Sequence, residues 1–285
     1  MFPGQEYVYT LEPFQVLNIL SDEDGGDLTG TKITSDKPIG VFSGHTAAIS
    51  KDTCCADHLE QQMFPTNTWG TKYVATKSFP RSQEQDYWRV LASKPGTQVT
   101  FDPPVMPLQN LGEGEYFEFA TDQDFVIQSN QPVLVSQVLA SSGEIDPFGA
   151  VQQCSGPGGQ CPAGHTCICQ LGLTCYCEPM GDPALILTAP VEQFREEYVF
   201  LSPNKYLEDY INIVAPVGAQ VTLDGANISA ASFTVIGATG YMVARLKVAD
   251  GVHSVKSDMK VGVIAYGYDD DVSYGYTAGL NLQDL

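Results

Sequence analysis

The side chains of this sequence that could do chemistry are concentrated in one short segment. Asp57, His58 and Glu60 are near neighbours, and Trp69 follows shortly after them. Carboxylates beside an imidazole can transfer protons or hold a metal ion. Catalysis by two carboxylates needs the two groups on different sides of one substrate, and residues this close together in sequence cannot easily reach both sides. No Ser or Cys nucleophile motif accompanies them either. We therefore predict no catalytic residues in this segment.

Two non-catalytic interpretations of the segment remain open. In one, Asp57, His58, Glu60 and Trp69 form a polar binding site for a ligand. In the other, which we favour, the same side chains pin a junction between two folded units through buried hydrogen bonds. The second interpretation predicts that replacing His58 with alanine lowers the melting temperature, because it removes a buried and hydrogen-bonded side chain.

A second segment has the composition of a loop that binds a hard cation. Asp22, Asp24 and Asp27 lie around glycines in residues 21–27, and Ca²⁺ takes carboxylate oxygens from loops of this kind. The spacing lacks the distal Glu of an EF-hand, so a solvated turn is the alternative and the commoner structure. Three consecutive aspartates at residues 269–271 are a weaker candidate, at the tip of a predicted hairpin. We predict no obligatory cofactor, with calcium as the one candidate.

The cysteines indicate the cellular compartment. There are eight, and six of them crowd one Gly- and Pro-rich stretch. A segment this small cannot build a core of its own, so three disulfides are predicted to hold it together. Zinc is the rival interpretation, but the spacing has Cys-x-Cys pairs, whereas zinc sites use Cys-x-x-Cys pairs. The six cysteines of this insert are Cys154, Cys161, Cys167, Cys169, Cys175 and Cys177.

The role of the insert and the pairing of the other two cysteines stay open. The insert projects either as a contact element or simply as a stabilised loop. Cys54 and Cys55 are adjacent, so they form a strained disulfide with each other, or each bridges to the insert or elsewhere. An oxidising, extracellular setting fits every one of these arrangements.

The composition excludes several classes of function. The 285 residues include 34 Asp and Glu against 14 Lys and Arg, a formal net charge of −20. Phosphate backbones and anionic membrane surfaces repel such a chain, so we predict no nucleic-acid binding. No apolar run approaches the roughly 20 residues of a transmembrane helix, so we predict no direct membrane insertion. Hydrophobic residues make up 43% of the chain, enough for a full core.

The elements that must position these residues are predicted to be β-strands. Short runs of β-branched and aromatic residues, such as residues 7–10, 14–19, 88–91 and 210–214, alternate with clusters of Gly, Pro, Asn and Asp. The one helical pattern is short and lies near residues 56–63. The predicted fold class is therefore all-β, built from antiparallel β-sandwiches.

Internal repeats divide the chain into units. Residues 33–41 recur as residues 127–135 and as residues 255–263, each with the pattern strand, Ser-Asx turn, apolar strand. Residues 98–102 likewise match residues 220–224. We predict consecutive antiparallel β-sandwich units in quasi-repeat. The units are a partial first unit with linker at 1–69, a second unit at 70–150, the small disulfide-rich insert at 151–180 and a third unit at 181–285.

The first unit contains only the later half of a repeat. A half-sandwich leaves a bare sheet edge, which proteins avoid. Either the chain starts inside a domain, or the missing strands come from elsewhere, for example from the C-terminal segment.

A set of specific motifs covers most of the chain. In chain order they are residues 27–31, residues 35–38, Ser43-Gly44-His45, residues 57–61, residues 65–74, Gly181-Asp182-Pro183, residues 190–193 and Ser273-Tyr274-Gly275-Tyr276. Together these motifs resemble the N-terminal domain of the IgGFc-binding protein family. Two features depart from the family pattern. Ala47 stands where the family often has a cysteine, and the position of its partner is doubled as Cys54 and Cys55.

The resemblance implies a secreted or surface-displayed module that acts in adhesion or recognition, without specifying the ligand. Family members usually carry more N-terminal sequence, which favours a chain that starts inside a domain. We therefore predict a non-catalytic extracellular recognition module within a larger secreted or cell-surface polypeptide, with a protein or a glycan as its partner. A structural spacer is the alternative, and a hydrolase comes third. Binding of the domain to a protein or glycan array would distinguish recognition from spacing.

Overall fold

The fold is all-β, as predicted. The structure is a computed structural model that describes residues 4–21, 25–50, 55–145, 152–156, 159–170 and 174–285. Twenty strands are assigned within these residues, against one short α-helix and three short 3-10 helices. No helix in this described part is both long and apolar enough to cross a membrane.

The N-terminal region departs from the predicted pattern. Residues 7–10 and 14–19, predicted as strands, run without strand pairing and are largely exposed, because a strand needs a partner and the described residues supply none there. The predicted helix near residues 56–63 is also wrong. The first two strands, β1 (Phe42–Ala48) and β2 (Asp57–Gln62), form a two-stranded antiparallel sheet.

Gly44 explains part of the Ser-Gly-His motif in β1. It lies opposite Glu60 in the ladder, and a Cβ atom at Gly44 would stand 2.0 Å from the carbonyl oxygen of Leu59. Only a residue without a side chain therefore lets the two backbones approach this closely. The motif is thus a packing requirement of the β1–β2 hairpin.

The second unit follows a 3-10 turn at Thr66–Thr68. Its strands alternate buried and less buried residues, so one face of each strand enters the core. A four-residue α-helix, Ser142–Ile145, follows the last of them. The strands are β3 (Gly70–Ala75), β4 (Asp86–Ala92), β5 (Thr97–Asp102), β6 (Gln109–Leu111), β7 (Tyr116–Thr121) and β8 (Phe125–Val138).

The insert is oxidised, as predicted. Its strands are β9 (Gln152–Gln153), β10 (His165–Gln170) and β11 (Thr174–Pro179), in a three-stranded antiparallel sheet. Its six cysteines pair as Cys154–Cys167, Cys161–Cys177 and Cys169–Cys175.

Cys55 is also disulfide-bonded. The six cysteines of the insert pair with one another, so Cys55 does not bridge into the insert. Cys54 lies outside the described residues, and a disulfide between these two adjacent cysteines stays a prediction.

The third unit repeats the second. Strand β12 (Leu185–Leu187) follows the insert and pairs with β8, so we propose that β12 completes the second unit and that the third unit begins after it. 3-10 turns occupy Val191–Gln193 and Ala230–Ser232. The remaining strands are β13 (Arg195–Ser202), β14 (Glu208–Pro216), β15 (Val221–Leu223), β16 (Ala226–Asn227), β17 (Phe233–Val235), β18 (Tyr241–Val248), β19 (Gly251–Asp269) and β20 (Val272–Thr277).

One long strand carries most of the ladders in each unit. The first half of β8 pairs with β3 and β5, and its second half pairs with β4 and β12. In the third unit, β19 pairs first with β13 and β15 and then with β14 and β20. In these two copies the Ser-Asx pair therefore lies inside one continuous strand, and the predicted turn between two separate strands is wrong there. In the first copy, residues 36–37 form a bend outside any strand.

The Asx side chain of each of these two pairs bonds to the neighbouring strand. Asn130 Oδ1 accepts a hydrogen bond from the backbone N–H of Gln98 at 2.7 Å, and Asp258 Oδ1 accepts one from Gln220 at 2.8 Å. Gln98 and Gln220 occupy matching positions of the repeat. A short polar side chain at the corner therefore fixes the neighbouring strand, which is the physical reason for the repeated pattern.

A matching tyrosine closes each unit. Tyr73 and Tyr198 are buried, and their hydroxyl groups donate to the carbonyl oxygens of Val133 and Val261. Tyr198 also accepts from the backbone N–H of Arg195 at 3.0 Å. Burial raises the pKa of Tyr198 to about 12. Each hydroxyl stays protonated and serves as a structural donor at neutral pH.

His253 provides a test of the pH dependence of the third unit. Its Nδ1 lies 2.7 Å from Asp224 Oδ2 and its Nε2 lies 2.7 Å from the carbonyl oxygen of Ala249. Both partners are acceptors, so both ring nitrogens must donate and the imidazole is protonated. Burial alone would lower the pKa of His253, but these hydrogen bonds and the charges of Asp224 and Asp209 raise it.

We expect His253→Gln to destabilise the protein in a pH-dependent way. A folded-state pKa above the unfolded value stabilises the protein fully below that unfolded value, about 6.5, and the stabilisation is lost as the pH rises through the folded-state pKa. Melting temperatures of the wild type and the variant should therefore differ most at pH 5–6, a range below about 6.5, and converge at alkaline pH. A difference that grows with pH would contradict this assignment.

Candidate functional site

The β1–β2 hairpin sorts the predicted site residues onto two faces. Side chains alternate along β2, so Asp57, Leu59 and Gln61 point towards the body of the protein while His58 and Glu60 point away from it. The segment that looked like one polar site in the sequence is therefore divided by the strand geometry.

The inward face attaches the hairpin to both sandwich units. Gln61 Nε2 donates to the carbonyl oxygens of Leu185 at 2.8 Å and Gly275 at 3.2 Å, which lie on β12 and β20. Leu59 is buried beside it. These contacts fix the position of the hairpin on the protein.

The outward face does not form the buried junction that the favoured interpretation predicted. His58 Nε2 and Glu60 Oε2 lie 3.3 Å apart, and their side chains are 59% and 56% exposed. Buried hydrogen bonds through these two side chains are therefore absent from the described structure, so the predicted loss of melting temperature in His58→Ala is replaced by an expectation of little change. The two side chains are instead available to a partner.

Trp69 does take part in a packed junction. It is buried against Leu134 and Leu187, and its indole N–H donates to the carbonyl oxygen of Phe64 at 3.0 Å. Its position in the core means that it supports the site and is not on the surface that a ligand would touch.

Asp57 lies near three other carboxylates, those of Asp182, Asp270 and Asp271. We call these four residues the acidic cluster. Asp182 follows β11 and precedes β12, while Asp270 and Asp271 form the tip of the β19–β20 hairpin. Carboxylate oxygens of Asp182 and Asp271 and the sulfur of Cys55 all lie within 4.8 Å of one another.

Gly181 holds Asp182 in place. Its φ angle is +94°, and a Cβ atom there would stand 2.4 Å from the Arg81 guanidinium and 2.8 Å from Ser273 Oγ. The same Ser273 Oγ accepts a hydrogen bond from the backbone N–H of Asp182 at 3.0 Å. The Gly-Asp-Pro motif thus presents the Asp182 side chain from a rigid backbone.

The electrostatic environment of Asp182 is unusual for a carboxyl group. Asp182 is only 4% exposed. Burial, followed by the negative charges of Asp271, Asp57 and Asp270, raises the pKa of Asp182 to about 6, although a hydrogen bond with Ser142 opposes the change. Like charges close together favour protonation or a bound cation.

The cysteine-rich insert borders the acidic cluster. The backbone N–H of Met180 donates to the carbonyl oxygen of Gly164 at 2.8 Å, and the charge of Glu178 on β11 raises the pKa of Asp270, after burial and Asp271. The hairpin, the insert and the third unit therefore meet at the acidic cluster.

The predicted calcium loop at residues 21–27 is described only in part. Asp22 and Asp24 lie outside the described residues. Asp27 accepts hydrogen bonds from the backbone N–H of Thr29 and the hydroxyl of Tyr116, both at 2.8 Å, and lies 3.1 Å from Arg89. Burial alone would raise the pKa of Asp27, but these contacts outweigh it and lower the pKa. Calcium binding in this loop stays a prediction.

Comparisons with known proteins follow the same motifs. The family model described as "IgGFc binding protein" matches residues 1–267. The chain belongs to the IgGFc-binding protein family. The human protein named "IgGFc-binding protein" is 25% identical over 276 residues, which are 94% of this chain. The chain spans 4% of the length of that relative.

A structural comparison adds nothing to the family assignment. A solved structure named "anti-sigma factor domain-containing protein" is 8% identical, with 73% of this chain and 80% of that chain covered, and the TM-score is 0.19. That score is too low to indicate a shared fold.

Sequence reasoning missed the acidic cluster of this IgGFc-binding family member. The sequence pattern groups Asp57 with its neighbours His58 and Glu60, and it makes residues 269–271 a weak candidate by themselves. Asp182 stands out in the sequence only as part of the Gly-Asp-Pro motif. A useful signal was the position of the Gly-Asp-Pro motif directly after the insert, since such a rigid turn presents one side chain in a fixed direction.

Proposed function

We propose that this chain is a non-catalytic extracellular recognition module that binds a protein ligand through the outward face of its β1–β2 hairpin. Family membership is the observation that carries the proposal. Three disulfides within the insert support an oxidising, extracellular location. Adhesion within a larger secreted or cell-surface polypeptide is the setting that we propose for this binding.

The hairpin has the features of a contact surface. It is a two-stranded sheet, so both outer edges lack a ladder partner among the described residues, and such edges can accept an added strand from a partner. The side chain of Phe42 is 62% exposed at its start, next to the exposed face that carries His58 and Glu60. An aromatic group beside polar groups is common at protein interfaces.

The geometry supports a non-catalytic role. A hydrolase built from this segment would need Asp57, His58 and Glu60 to converge on one substrate. The strand instead directs Asp57 away from the other two residues. A spacer function is the second candidate, favoured by the buried polar contacts that lock the second unit to the third, such as Asn212 with Lys77 at 2.8 Å.

The search for a ligand begins with proteins. The name of the human relative states that it binds the Fc part of immunoglobulin G, so Fc is the first probe for this chain, with Fab fragments, other extracellular proteins and a glycan array beside it. The net charge of −20 predicts faster association with partners that present a basic surface. Absence of binding to every member of this panel would favour the spacer function.

We expect the double substitution His58→Ala, Glu60→Ala to weaken binding of the protein that the panel identifies at least about tenfold, or ~1.4 kcal/mol. Biolayer interferometry measures the Kd, and melting temperatures should stay unchanged because both side chains are exposed. The matched control is Glu197→Ala, Lys256→Ala, which removes an exposed ion pair of 2.8 Å on the third unit. Equal Kd values for the two double variants would place the contact surface elsewhere.

A further inference from the structure

The acidic cluster contains oxygen atoms spaced for a shared cation. Two oxygens on one Ca²⁺, at 2.3–2.6 Å each, can stand no more than about 5 Å apart. The carboxylates of Asp182 and Asp271 meet this limit, since their atoms lie within 4.8 Å. Asp57 and Asp270 add negative charge around the same point.

A second observation is independent of this spacing. The Oδ1 atom of Asp182 is buried and has no hydrogen-bond partner among the described residues, and Asp182 is only 4% exposed. A buried carboxylate oxygen left unpaired is costly. Among the described residues, Asp182 Oδ1 therefore lacks a hydrogen-bond donor, and the charged groups around it are other carboxylates.

We propose that the acidic cluster is a calcium site, with Asp182 and Asp271 as ligands and Asp57 and Asp270 as the surrounding charge. Carboxylate oxygens suit a hard cation. Cys55 is in a disulfide and offers no thiolate, so the soft-metal alternative lacks its usual ligand. Asp271 is exposed, which leaves room for water to complete the coordination.

The site would join three parts of the molecule. Asp57 belongs to the β1–β2 hairpin, Asp182 to the segment between the insert and β12, and Asp270 and Asp271 to the β19–β20 tip. A bound cation would reduce the repulsion among these carboxylates and hold the hairpin against the third unit. This role is separate from the outward face that we propose for ligand binding.

The experiment uses the full chain under oxidising conditions at constant ionic strength. The melting temperature is measured in EGTA and with CaCl₂ or MgCl₂, and isothermal titration calorimetry with CaCl₂ gives the stoichiometry. We expect one site and a rise of about 5 °C when calcium is at 100 times its Kd. Extracellular calcium modules bind in the range of about 0.1–1 mM.

Two conservative variants test the ligands. Asp271 has a φ angle of +50°, a conformation that asparagine tolerates, so Asp271→Asn removes the charge without straining the turn. Asp182→Asn removes the buried charge. Both variants should lose the calcium-dependent rise in melting temperature, while Asp122→Asn, on the exposed β7–β8 turn, should keep it.

Three outcomes would overturn the proposal. The first is the absence of a calcium-dependent rise and of binding heat in the wild type with calcium at about 100 times the upper end of the Kd range of extracellular calcium modules. The second is an equal rise with magnesium and calcium, which would indicate general screening of charge. The third is an unchanged calcium response in Asp271→Asn. Should Asp182→Asn fail to fold, the Asp271→Asn and Asp122→Asn pair still decides the question.

Discussion

Replacing Arg81 with alanine is expected to lower the free energy of unfolding by about 3–5 kcal/mol, because it breaks a buried ionic contact and removes the donors of two buried carbonyl oxygens. Arg81 donates to the carbonyl oxygens of Met180 at 2.6 Å and Ala140 at 2.7 Å. Its guanidinium lies 4.0 Å from the centre of the Tyr268 ring. Nε is 3.5 Å from Glu84, and the two side chains are 1% and 3% exposed.

Urea unfolding, followed by the fluorescence of the two buried tryptophans, measures this change. Arg195→Ala is the matched control, since Arg195 is exposed and should cost less than about 1 kcal/mol. An Arg81 variant as stable as the Arg195 variant would show that the buried contacts do not hold the units together.

Asn212→Ala is expected to cost about 2–3 kcal/mol, since it leaves buried polar groups unpaired. Asn212 is 1% exposed. Its Nδ2 donates to Thr76 Oγ1 at 3.1 Å and to the carbonyl oxygen of Lys77 at 2.8 Å, and its Oδ1 accepts from the Tyr266 hydroxyl at 2.8 Å. Tyr266 in turn accepts from the backbone N–H of Phe79 at 2.8 Å. This network joins the second unit to the third.

The test compares Asn212→Ala with Asn227→Ala, an exposed asparagine of the same unit. Calorimetry should show one cooperative transition for the wild type and for the control. In the Asn212 variant, the transition should move to a lower temperature and broaden or split as the units uncouple. A single unshifted transition would contradict a structural role for the network.

Local sequence patterns were enough to predict the fold class, the repeat and the disulfides of the insert. The repeat signal was physical, because Asn130 and Asp258 make the same contact in both units. The cysteine spacing predicted bridges within the insert, and the three described pairs all lie there.

Features that depend on distant partners could not be predicted. Residues 7–10 and 14–19 have strand composition, but pairing decides whether a strand forms. In the sequence, the polar pair Ser129-Asn130 separates two apolar runs and therefore suggests a turn. The ladders to β3 and β4 instead keep β8 continuous through this pair.

The candidate site shows the same limit. The β2 segment contains one apolar residue, Leu59, so its sequence shows no alternation that would separate Asp57 from His58 and Glu60. The approach of Asp182 to Asp271 depends on how the insert returns to β12 and on where the β19–β20 tip lies. Neither is encoded in a local pattern.

Recognition through the β1–β2 hairpin is tested most directly by hydrogen–deuterium exchange of the full chain, alone and with the protein captured in the binding panel. We expect slower exchange of backbone amides in β1 and β2, because a bound partner covers the exposed face or adds a strand to an open edge. The amides of β5 and β14, inside the sandwiches, should exchange at the same rate in both samples. Slower exchange confined to the insert or to β13, with the hairpin unchanged, would contradict the proposed contact surface.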